Sequence, residues 1–108
     1  TLTKPRVHYL GGNYMYFKNV TMKNEVGLHA RNATFFVQAA NHFKSSIHLE
    51  KGERQIAAKS LLGVLALGII GGDEIRIIAE GTDEVSAVDS LVKLIESEFS
   101  SDVMNEIV

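Results

Sequence analysis

His29 and Arg31 are the residues best suited to chemistry, and they lie in the stretch Asn24-Glu25-Val26-Gly27-Leu28-His29-Ala30-Arg31-Asn32-Ala33-Thr34. A strand-like run ends before this stretch and a helical apolar pattern begins inside it, so His29 falls on the join. At a helix start the first backbone N–H groups have no intrahelical partner. Together with the positive end of the helix dipole they favour an anion. Arg31 brings a planar guanidinium able to grip phosphate oxygens, and Gly27 lets the chain turn tightly into the site. These parts suit an imidazole that carries a phosphoryl group, the charge being received by amides and an arginine. The plainer alternative is an ordinary loop histidine.

A second informative stretch is Lys59-Ser60-Leu61-Leu62-Gly63-Val64-Leu65-Ala66-Leu67-Gly68. Ser60 is a good N-cap for a short helix that ends at Gly68. Leu61, Leu62, Val64, Leu65 and Leu67 are too many for one buried face of two turns, so some should stay exposed as a contact patch. Read plainly, Ser60 is only a cap and the leucines are only core.

The elements that must position these residues follow from apolar spacing. Tyr16, Val20 and Met22 predict a strand over about 15–23, with Lys18 interrupting. Arg6–Leu10, turning at Gly11-Gly12-Asn13, could pair with it as an extra hairpin and protect the sheet edge. Ala33, Phe36, Val37, Ala40 and Phe43 mark one face of a helix over about 30–43. Phe35 lies off that stripe, near the site, and is expected to pack at the rim. Strands at 46–50 and 54–58 flank the turn Lys51-Gly52-Glu53. Gly71-Gly72-Asp73 turns into a strand with Ile75, Ile77 and Ala79 inward and Ile78 outward. These glycines are not a phosphate-binding loop, because no lysine and helix start follow. Thr82 is expected to cap the last helix, with Asp83 and Glu84 in its first turn and Val88, Leu91, Val92, Ile95 and Phe99 facing the core. Val103, Met104, Ile107 and Val108 either prolong that stripe or fray. The order β-α-β-β-α-β-α predicts an open-faced α+β sandwich, an antiparallel sheet with helices on one face.

Composition narrows the functional classes. With 108 residues the chain suits one domain with a single modest core. There is no cysteine, so disulfides, thiolate catalysis and cysteine-ligated metal are excluded. His42 and His48 have no partner at a metal-ligand spacing and are expected at the surface; no metal and no cofactor are expected. A net charge of −2 argues against a nucleic-acid protein driven by phosphate contacts. An RNA-binding α+β domain also lacks the paired strand aromatics such domains use. No segment has the length of a membrane span, and Thr1–Arg6 lacks the apolar core of a signal peptide, so a cytoplasmic protein is expected.

Gly27-Leu28-His29-Ala30-Arg31 followed by Lys59-Ser60-Leu61-Leu62-Gly63-Val64 resembles HPr, the histidine-containing phosphocarrier family of the bacterial phosphoenolpyruvate:sugar phosphotransferase system. The likeness covers about residues 16–98 and includes the element order. It implies a four-stranded antiparallel sheet with helices on one face, in a domain over 14–99. Residues 1–13 would be an N-terminal extension and 100–108 a C-terminal tail. It implies that His29 accepts phosphate from enzyme I and passes it to sugar-specific IIA domains, assisted by Arg31. Ser60 matches the serine phosphorylated by HPr kinase/phosphorylase, after which the catabolite control protein binds. Leu61, Leu62 and Leu65 match the patch that these partners cover. A regulatory module working mainly by protein–protein contact is the alternative. Asn32 departs from the family's proline. Proline suits a first helical turn, so restoring it should add stability if the local backbone is compatible.

Overall fold

Alternation along four strands and two apolar helix stripes builds the molecule as the sequence predicts. The computed structural model describes residues 6–8 and 14–108. In chain order the elements are β1 (Arg6–His8), β2 (Tyr14–Thr21), α1 (Ala30–Asn41), β3 (Ser46–Lys51), β4 (Arg54–Ala57), α2 (Leu61–Ala66), β5 (Glu74–Glu80), α3 (Glu84–Glu96) and α4 (Ser101–Ile107). The sheet is antiparallel throughout, with strand order β1-β2-β5-β3-β4. The four-stranded open sheet with helices on one face is thus present, and β1 adds a short fifth strand outside β2. Arg6 pairs with Tyr16, Val7 with Met15 and His8 with Tyr14. This is the pairing expected of the extra hairpin; its residues 9–13 lie outside the described residues.

The core fills the space between sheet and helices. Tyr16, Val20 and Met22 of β2 and its exit, Ile47 and Leu49 of β3, and Ile75, Ile77 and Ala79 of β5 are buried there. Lys18 shares that face of β2, yet its ammonium reaches the Asp89 carboxylate of α3 at 3.0 Å. The Tyr16 hydroxyl donates to the same carboxylate at 2.9 Å. These two contacts tie α3 to β2 by partners that a buried phenol and a long amine both need. Ile78, expected to face outward, does so but is buried. It sits on the central strand opposite Phe17 on one side and His48 on the other. Arg76 on the same outer face stacks over the Phe17 ring, 4.6 Å from its centroid.

Two details of the helical layer differ from expectation. Asp83, not Thr82, occupies the N-cap of α3, and its carboxylate does not cap the helix. It accepts instead from the backbone N–H groups of Lys44 and Ser45 and from the Ser45 hydroxyl. Donors from a distant segment of the same chain take this carboxylate instead of the local cap, because they would otherwise be left unpaired where the chain leaves α1. The Ser45 hydroxyl, followed by the Lys44 and Ser45 amides, holds the Asp83 carboxyl below the usual carboxylate range. The contact ties the start of α3 to the residues that follow α1. The second detail is α4. Glu98 and Phe99 adopt left-handed φ values of 57° and 62° and break α3. Ser100 then caps a new helix by accepting the Asp102 N–H. Val103, Met104 and Ile107 are buried where α4 packs on α3 and reaches α1, so these residues neither prolong α3 nor fray.

Candidate functional site

His29 is the N-cap residue of α1, in extended conformation (φ −144°, ψ 144°), and its side chain makes no capping hydrogen bond. The ring is therefore exposed at the helix mouth rather than spent on the first amides. Ala30, the next residue, has φ 48°. A left-handed conformation in a residue bearing a Cβ costs about 1 kcal/mol. The chain around it is held firmly enough to absorb that. The Asn32 N–H donates to the His29 carbonyl at 3.1 Å. Its side-chain amide donates to the Gly27 carbonyl at 3.3 Å, and that of Asn24 donates to the same oxygen at 3.2 Å. Asn32 therefore uses the backbone donor that proline would lack. Restoring proline is now expected to lower stability, the reverse of the expectation from sequence.

The loop rests on the segment that leaves α2. The Leu28 N–H donates to Ile69 O at 3.1 Å, and the Gly71 N–H to Glu25 O at 3.3 Å. Backbone meets backbone so closely that both contact points are glycines. A Cβ on Gly27, whose φ is 73°, would stand 2.2 Å from Ile69 O. One on Gly71 would stand 2.8 Å from Asn24 O. Gly71 looked in the sequence like a turn residue only; the contact is long-range, and nothing in its neighbours signals it. Asp73 was similarly hidden. Its carboxylate accepts the Ile70 N–H at 2.9 Å and meets Lys51 Nζ at 2.8 Å. The Ile70 amide first, then Lys51, keep this carboxyl below its ordinary range.

Arg31 is exposed on the first turn of α1, and its guanidinium lies over the Phe35 ring, 4.9 Å from the centroid. Phe35 is half-buried against the core, as the rim position expected of it. Across the helical layer, α2 packs on α1. Ser60 is its N-cap, exposed, and its hydroxyl accepts the Gly63 N–H at 3.1 Å. At the other end Arg54 donates to Ala66 O at 2.9 Å and Lys51 to Gly68 O at 3.0 Å, so cations meet the carbonyl end of the helix. Val64 and Leu67 are buried, while Leu61, Leu62 and Leu65 are 39%, 80% and 38% exposed. The apolar surplus of α2 is thus divided as its length requires. Val26 and Ile70, which the sequence did not single out, are exposed on the His29 loop and its supporting segment.

His42 is exposed beyond the end of α1, and His48 is half-buried on the outer face of the sheet, so neither joins His29. Among the described residues there is no cluster of acidic or histidine side chains fit to hold a metal ion, and no helix is long and apolar enough to cross a membrane. The site is an imidazole at an open helix mouth with an arginine on the first turn and a capped, leucine-bearing helix alongside.

Comparison with known proteins gives this arrangement its family. Residues 17–97 match the family model described as PTS HPr component phosphorylation site. The HPr-like protein Crh of Halalkalibacterium halodurans is 44% identical over 84 residues, covering 78% of this chain and all of that protein. The phosphocarrier protein HPr of Treponema pallidum is 38% identical over 88 residues, covering 82% of this chain and all of that protein. The crystal structure of HPr-C-His from Thermoanaerobacter tengcongensis superposes with a TM-score of 0.75 at 44% identity, over 77% of this chain and 93% of that one. The chain belongs to the HPr family, the phosphocarriers of the phosphoenolpyruvate:sugar phosphotransferase system.

Proposed function

We propose that His29 accepts a phosphoryl group from enzyme I, charged by phosphoenolpyruvate, and delivers it to sugar-specific IIA domains. The observation that carries this is the His29 ring itself: exposed at the mouth of α1 and not engaged in capping it. A ring nitrogen offers its lone pair to phosphorus as the bond from phosphorus to the donor breaks, and the donor group leaves with its electron pair. The reverse sequence, with His29 as leaving group, passes the phosphoryl on. The amides of the first turn and the helix dipole favour the charge on the transferred oxygens, and Arg31 supplies a bidentate cation once it turns toward them. Residues 14–99 are assigned this work, with 1–13 and 100–108 as additions, in a cytoplasmic protein.

Ser60 is assigned the regulatory role, with HPr kinase/phosphorylase as its modifier and the catabolite control protein as the partner of the modified form. A phosphoryl group there keeps an acceptor oxygen for the Gly63 amide and adds about −1.5 to −2 charges beside Leu61, Leu62 and Leu65. A second reading, regulation by protein contact with His29 little used, is favoured by the identity to the Crh protein of H. halodurans. Incubation with phosphoenolpyruvate and enzyme I separates them. Acid-labile phosphate on the wild type, absent from His29→Ala, is expected of the carrier; full labelling of the mutant removes the acceptor assignment.

A further inference from the structure

We propose that Phe35 is a positioning residue for Arg31: its ring parks the guanidinium on the flank of α1, and phosphoryl arriving on His29 must draw it off. The inference rests on His29 being the acceptor. Arg31 and Phe35 are four residues apart on α1, so they share a face, and the guanidinium lies 4.9 Å from the ring centroid. Among the described residues no carboxylate or carbonyl pairs with Arg31, so the aromatic face is the directional contact it keeps. The two partners differ in freedom. Phe35 is packed against the core, whereas Arg31 is exposed on a long flexible stem. The ring therefore stays, and the arginine comes and goes.

Direction decides the consequence. Helical side chains lean toward the N-terminus, so an unrestrained Arg31 would sweep the mouth where His29 sits. Phe35 is rooted about 6 Å further along the axis, and stacking on it holds the guanidinium back from the mouth. A phosphoryl group on an imidazole nitrogen offers charge-assisted, bidentate hydrogen bonds, which exceed an exposed cation–π contact. The phosphoryl group therefore wins the arginine, at a cost set by the ring. Phosphohistidine should be less populated at equilibrium than in a protein without Phe35, by about two- to five-fold. A carrier poised this way releases its phosphoryl more readily.

The test uses the full chain with enzyme I at fixed ratios of phosphoenolpyruvate to pyruvate, reading the fraction phosphorylated on His29. Phe35→Leu should raise the equilibrium constant about two- to five-fold, and Phe35→Tyr, which keeps the ring, should match wild type. In an Arg31→Ala background Phe35→Leu should change nothing, which a merely structural role would not predict. Proton NMR of the unphosphorylated protein should show the Arg31 Cδ methylene shifted upfield by the ring. That shift should vanish in Phe35→Leu and in phosphorylated wild type. Equal equilibrium constants for wild type and Phe35→Leu overturn the inference, as does an effect that survives Arg31→Ala. Wild type that takes no label overturns the acceptor assignment, and the inference falls with it.

Discussion

The two helix starts that face this surface are built to opposite designs. At α2 a serine in extended conformation closes on its own helix, giving its hydroxyl oxygen to the Gly63 amide. At α1 a histidine holds the same N-cap position in the same extended conformation, and its side chain gives the helix nothing. The residue after it is forced into a left-handed φ, and the loop is braced by the Asn24 and Asn32 side chains and, from outside, by the 69–71 backbone. A closed cap stabilises its own helix and needs little support. An open one leaves amides and imidazole for an incoming group, and its stability must come from neighbours. The difference predicts that mutations near Ser60 act locally, whereas the His29 loop fails when a distant support is removed.

The largest effect should come from the support. Gly27→Ala places a methyl group 2.2 Å from Ile69 O at a φ of 73°. Either fault alone costs 1 kcal/mol or more, so a loss of about 3 kcal/mol is expected in denaturant unfolding. An unchanged midpoint would mean that the loop does not rest on the 69–71 backbone. Next in size is Ser60→Ala, which removes the closed cap and should cost about 1 kcal/mol. His29→Ala, at the same helix position, should leave stability nearly unchanged because no capping bond is lost. Equal losses for the two alanines would erase the contrast between the helix starts.

How far the sequence disclosed this site follows the same division. Local signals were legible: the apolar spacing of α1 and α3, the alternation of β2, β3 and β5, Ser60 as a cap, and His29 on the strand-to-helix join. That some leucines of α2 stay exposed could be foreseen from its length; which of them do, Leu61, Leu62 and Leu65, came only from the resemblance to the family. What stayed hidden were contacts between segments remote in sequence. Gly71 reads as a turn glycine until its neighbour proves to be Asn24, and Asp83 reads as an ordinary first-turn acid until it proves to hold Lys44 and Ser45. Asn32 stayed hidden for a different reason: its bonds to His29 and Gly27 are local, but they depend on a backbone path that no propensity encodes.

Asn32→Pro sharpens the comparison at smaller scale. It removes the hydrogen bond from the backbone N–H to the His29 carbonyl and the one from the side-chain amide to the Gly27 carbonyl, each of a kind worth about 1 kcal/mol. It recovers about 0.4–1 kcal/mol from a stiffer unfolded chain. A net loss of about 1 kcal/mol is expected in thermal or denaturant unfolding, and a gain would show that the loop does not depend on those bonds.

The smallest effect should be the acid response of Asp73, the carboxylate that joins the segment under the His29 loop to the carbonyl end of α2. It takes the Ile70 amide from the segment under the His29 loop and the Lys51 ammonium that also reaches Gly68 O beyond α2. Those donors favour the charged form, so the folded protein binds a proton here less readily than the unfolded chain. The contribution to stability is then complete above the ordinary carboxylate pKa of about 4. It is lost as pH falls through the lower folded value. The Asp83 carboxylate shifts the same way and acts in the same window. Asp73→Asn should therefore flatten part of the decline in stability below about pH 4, and Asp83→Asn another part. At neutral pH that contribution is present in full but small, since solvent and salt screen the pairing of the half-buried Asp73 with Lys51. If Asp73→Asn leaves the acid limb of the stability curve unchanged, this carboxylate does not hold the two segments together, and the loop depends on its backbone contacts with 69–71 and on Asn24 and Asn32.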